Sequence, residues 1–114
     1  MSLSYKDPSM SRDQAIQLLS TSDTKSIVSA LISIGLNEGD WKWAQNICIE
    51  HLNNNNEDIV SASAAALAHI ARRHEKLDIE TSKKALEDAQ ANHPVLAGNI
   101  ADALDDIEMF VTGD

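Results

Sequence analysis

Residues 56–74, Asn-Glu-Asp-Ile-Val-Ser-Ala-Ser-Ala-Ala-Ala-Leu-Ala-His-Ile-Ala-Arg-Arg-His, decide the fold. They contain no proline or glycine. Acids stand at the start (Glu57, Asp58) and bases at the end (Arg72, Arg73, His74), the order that complements a helix dipole. The segment therefore predicts a long helix over 57–74. Its central pattern, Ala66-Leu67-x-x-Ile70, recurs as Ala30-Leu31-x-x-Ile34 and Ala103-Leu104-x-x-Ile107, at spacings of 36 and 37 residues. Val28, Ala64 and Ala101 extend the same register upstream.

Working outward, each copy falls in the second helix of a helix-turn-helix pair. Ser11 and Gln14 have the spacing of a capping box ahead of a short helix bearing Ile16, Leu18 and Leu19. A helix with Ile27, Val28, Leu31, Ile32 and Ile34 follows and is expected to end near Gly35. Asp40 caps a helix from about Trp41 to Leu52 that buries Ala44, Ile47, Cys48 and Leu52. Asp78 caps another through about Ala91, and Pro94 occupies the first turn of the last, which runs to about Val111. No stretch alternates with a period of two, so strand is not expected. The expectation is an all-α chain, a short right-handed α-α solenoid of about three helical hairpins that bury their faces by stacking. Residues 1–10 are expected to be a flexible lead-in and 11–112 a single helical domain.

The chain has 114 residues, 9 Lys and Arg against 18 Asp and Glu, and a net charge of -9. That balance argues against nucleic-acid binding, whose affinity comes from Lys and Arg on phosphates. A lone cysteine excludes an internal disulfide or a two-thiolate zinc site. With no signal-like start and no membrane-length apolar run, a soluble cytoplasmic monomer is expected, with no membrane partner. Cys48 and His51 share a helix face but make only half a metal site, so no metal or cofactor is expected.

The Ala-rich second helices, the paired arrangement and the string from Asn56 to Leu67 resemble HEAT repeats, most clearly over Asp40 to Val111. More narrowly, Trp43-Ala44-Gln45 and His69-Ile70-Ala71-Arg72 in a small acidic chain resemble HEAT-like bacterial immunity proteins that neutralise polymorphic or contact-dependent inhibition toxins. His74-Glu75 resembles the dyads of HEAT-like hydroxylases. A two-iron site needs several such dyads, and this chain has one.

From Ala85 to Asp114 there are seven acids (Glu87, Asp88, Asp102, Asp105, Asp106, Glu108, Asp114) and no Lys or Arg. In the last helix Ile100, Leu104, Ile107 and Val111 form the apolar stripe and leave Asp102, Asp105, Asp106 and Met109 on the other side. Like charges three and four apart cost a helix roughly 0.2–0.5 kcal/mol per pair, so this face reads as a response to something outside it. The repeat register aligns Asp102 and Asp106 with Ala65 and His69, and with Ser29 and Ser33. Stacked second helices would form one surface grading from serines to aspartates. Trp41 adds an expected partially exposed anchor, while Trp43 with Ile47 is structural.

The expected partner-binding set is thus Asp102, Asp105, Asp106, Met109, His69, Ser33 and Trp41, with no catalytic residues. The resemblance implies a non-enzymatic immunity protein that binds a basic toxin C-terminal domain, of nuclease type. The alternative is a scaffold or adaptor for a host protein, since one repeat architecture hosts many functions.

Overall fold

In the computed structural model, which describes residues 10–111, the chain forms α1 (Arg12–Leu19), α2 (Thr24–Asn37), α3 (Trp41–His51), α4 (Glu57–His74), α5 (Ile79–Asn92) and α6 (Ala97–Phe110), with a 3-10 turn at Pro94–Leu96 before the last. No strand occurs among the described residues. The expected flexible lead-in over residues 1–10 lies almost wholly outside them.

Helices pair as α1 with α2, α3 with α4, and α5 with α6, while α2, α4 and α6 pack side by side in one layer. The other layer is looser, α3 meeting α5 only over a short stretch. The extents, 40 × 30 × 19 Å, fit this arrangement, since two helical layers are about 20 Å thick. The chain is all-α, a stack of three hairpins among the described residues.

The reason lies in α4. It buries Ile59, Val60, Ala62, Ser63, Ala64, Ala66, Leu67, Ala68, Ile70 and Ala71, so it is apolar nearly all round and must be flanked on several sides. Its alanines let neighbours come close. A Cβ built on Gly35 of α2 would lie 2.7 Å from the Cα of Ala66, tighter than a side chain tolerates. Gly35 therefore does not end α2, as its position suggested. The helix continues to Asn37, and the glycine serves the α2–α4 approach.

Polar contacts fix the ends. Ser11 and Gln14 form the anticipated capping box, Asp40 accepts from the Trp43 amide, and Asn56 accepts from Asp58 and Ile59. Asp78 sits at the start of α5 but makes no cap there; its carboxylate accepts from Nε2 of the fully buried Gln45, whose Oε1 accepts from the Asp78 amide at 2.6 Å. A buried amide needs partners for its polar atoms, and this exchange satisfies both while tying α3 to α5. Arg12 pairs with Glu38 at 2.6 Å and stacks on Trp43 with its guanidinium 4.3 Å from the ring centre, holding α1 to the α2–α3 turn. At the far end of α4, Arg73 donates to the carbonyls of Gly35 (2.9 Å) and Glu38 (3.2 Å), and His74 Nε2 donates to Glu38 at 3.1 Å. These donors satisfy carbonyls at the α2 terminus that lack helical partners. Glu75 closes α4 in the left-handed conformation, φ 56°.

Candidate binding surface on the second-helix layer

Two depressions flank α4 on its solvent side. Between α4 and α6 lies a notch of ≈ 220 Å³ lined by Ser61, Ala65, Ala68, Arg72, Asn99, Asp102, Ala103 and Asp106. Between α2 and α4 lies a wider groove of ≈ 530 Å³ lined by Thr24, Lys25, Val28, Ser29, Ile32, Asp58, Ser61, Ala62 and Ala65. Ser61 and Ala65 border both, so the exposed Ala65 is the low ridge between them.

The α6 face is the more polar part. Ile100, Ala103 and Ile107 are buried and Leu104 partly so, which turns Asp102, Asp105 and Met109 outward. Met109 is 73% exposed, unusual for a large apolar side chain. Asp106 differs. It turns toward α4, where Arg72 Nη2 lies 3.5 Å from its Oδ2. Glu108 likewise meets Lys83 of α5 at 3.1 Å. The acidic stretch therefore contains no base of its own but is partly neutralised by bases of α4 and α5. Asp102 and Asp105 have no ion-pair partner among the described residues.

His69, half-buried one turn before Arg72, accepts at Nδ1 from the Arg72 guanidinium at 3.4 Å. Burial, then the Arg72 charge, pushes its pKa below the usual imidazole value; Asp106 opposes them and Arg73 adds to the lowering.

Ser33 is misplaced in the expected set. It is 1% exposed, accepts weakly from Asn37 Nδ2 (3.5 Å) and faces Met10, Arg12 and Ala15. The side of α6 that carries Asp106 looks toward α4, whereas the corresponding side of α2 is covered by α1 and Met10. Ser29, one turn earlier, is the serine of that register that lines the groove. Trp41 is half-buried, packs against the core and opens α3, in the other layer from Asp102, Asp105, Asp106, Met109 and His69.

The groove between α2 and α4 and the Arg72 counter-ion escaped the sequence reading. The repeat held a signal for each. Ile32 lies off the α2 core stripe, and Arg72 aligns with Met109 at the 37-residue spacing, beside Asp106 on the same face.

Cys48 is fully buried, and burial pushes its thiol pKa up to about 12, leaving it an inert core side chain. His51 is engaged elsewhere, its Nδ1 donating to the Ile47 carbonyl at 2.8 Å. Among the described residues no three His, Cys, Asp or Glu side chains gather to hold a metal, and no helix is long and apolar enough to cross a membrane.

The architecture defines a class: a small all-α stack whose second-helix layer presents a grooved, partly acidic face. The chain is similar to one in the crystal structure of a CDI complex from Cupriavidus taiwanensis LMG 19424, with a TM-score of 0.79, 25% sequence identity and 93% of each chain covered. The sequence matches no protein-family model and no curated protein.

Proposed function

We propose that the chain is an immunity-type inhibitor of a contact-dependent inhibition system. It binds the toxin domain of a neighbouring gene product and acts by occupying that domain rather than by catalysis. The observation that carries this reading is the likeness along 93% of both chains to a member of a CDI complex. The charge of -9, with Asp102 and Asp105 exposed and unpaired among the described residues, supports a basic, nuclease-type toxin as the partner. Acids on a rim raise encounter rates with a cationic surface and reject anionic competitors. The partner surface comprises Asp102, Asp105, Asp106, Met109 and His69.

The test is co-expression with the toxin domain encoded beside the gene. Expected are restored growth of a susceptible strain and a stable 1:1 complex. Unrelieved toxicity together with no measurable complex would overturn the proposal.

A further inference from the structure

The two depressions beside α4 differ in chemistry, and that difference specifies what fits them. The α2/α4 groove has Val28, Ile32, Ala62 and Ala65 as its apolar wall, with Ile32 36% exposed, and Thr24, Lys25 and Ser29 along its α2 side. The α4/α6 notch is polar. In it Asp106 is paired with Arg72, and Asn99 donates to Ser61 at 3.3 Å, leaving Asp102 as the carboxylate without an ion-pair partner among the described residues. In the wider groove Asp58 stands in the first turn of α4, where the helix dipole already favours it. An apolar seat and an anionic seat thus lie on either side of Ala65, a ridge one methyl high.

Resting on the reading of the chain as a toxin-binding protein, we infer that a helix of the partner lies across α2, α4 and α6, setting an apolar side chain into the α2/α4 groove and a Lys or Arg onto Asp102. Packed helices are about 8–10 Å apart, so depressions on opposite flanks of α4 are separated by about that distance. Two turns of helix rise about 10.5 Å and return to the same face. The apolar anchor and the cation therefore stand about seven residues apart in the partner. Ala65 between them lets the partner backbone come close, and the exposed apolar anchor in a groove with a charged rim is the usual energetic layout of an interface.

The probe is the catalytically inactivated toxin domain encoded beside the gene, titrated against the full chain. Ala65→Arg, which raises the ridge between the two depressions and blocks the approach of a partner backbone, is expected to weaken binding at least about 100-fold, while Ala91→Arg on the exposed side of α5 leaves it unchanged. Ile32→Ser is expected to speed dissociation about 10-fold with the salt dependence intact. Asp102→Asn is expected to slow association and flatten its salt dependence. Hydrogen exchange of the unmodified complex gives a readout that needs no variant, with new protection expected over 25–32, 58–65 and 99–106. Unchanged affinity of a helical, folded Ala65→Arg chain, or protection confined to α1, α3 and α5, overturns the dock and leaves the inhibitor reading standing. Absence of binding by the unmodified chain overturns that reading, and the dock with it.

Discussion

Against α2, the central helix comes so near that a Cβ on Gly35 would meet the Ala66 backbone at 2.7 Å, whereas against α6 it leaves a polar notch of ≈ 220 Å³. The first joint is closed at its end by Arg73 and His74 donating to carbonyls of Gly35 and Glu38. The second is spanned by an Arg72–Asp106 pair whose side chains are 43% and 31% exposed, and by an exposed Asn99–Ser61 hydrogen bond. Small residues allow both approaches, but the first is shut tight around Gly35 while opening elsewhere into the groove of ≈ 530 Å³, and the second leaves the smaller notch. The Gly35 contact carries stability, and the notch keeps polar groups within reach of solvent and of a partner.

The largest test of that contrast is Gly35→Val. Overpacking a tight contact typically costs about 1–3 kcal/mol, occasionally more, and here the obstructing atom is backbone, which cannot rotate away. The expected loss is about 3 kcal/mol by chemical denaturation. Even Gly35→Ala is expected to destabilise, since its helix-propensity gain of about 1 kcal/mol is smaller than the strain. A neutral Gly35→Val would mean that α2 and α4 are not clasped. Next comes Arg73→Ala, which removes two charge-assisted donors from carbonyls at the end of α2. The expected cost is about 1–2 kcal/mol.

How much of this was legible depended on whether a feature belongs to one helix or to two. The limits of α4, Glu57–His74, agree with the reading from Asn56, the flanking charges and the unbroken helical composition, all local signals. Gly35 misled because the same residue type ends helices and lets them approach, and only the neighbour decides which. Pro94 begins a 3-10 turn, with α6 starting at Ala97, because the chain closes a tight bond from the Leu96 amide to the His93 carbonyl at 2.8 Å before the helix proper. The outward face of Asp102, Asp105 and Met109 followed from the apolar stripe opposite. The burial of Ser33 under α1 and the reach of Arg72 to Asp106 did not, since each depends on what an adjacent element covers or supplies.

A smaller effect separates the joints by pH. Burial holds the His69 pKa below 6.5, so near neutrality an unfolded chain takes up a proton more readily than the folded one. The contribution is whole above pH 6.5, is lost as pH falls through 6.5 toward the folded value, and levels off below it. His69→Gln is expected to flatten the dependence of the melting temperature between about pH 7.5 and 5.5, compared with the unmodified chain. An unaltered slope would place that titration elsewhere.

The smallest expected effect is the most discriminating. Arg72 and Asp106 are both partly exposed, and pairs open to solvent couple by about 0.2–1 kcal/mol, with salt reducing it further. A double-mutant cycle of Arg72→Gln and Asp106→Asn, read by denaturation, should return a coupling inside that range and smaller than the loss from Arg73→Ala. The same Arg72→Gln change should strengthen attraction for a cationic partner, because it removes the one base that lines the notch beside Asp102. Stability nearly unchanged with faster, more salt-sensitive association would mean that Arg72 tempers a surface made for contact. A coupling well above 1 kcal/mol would mean instead that α6 is held to α4 through this pair, and that the notch belongs to the scaffold as much as the Gly35 joint does.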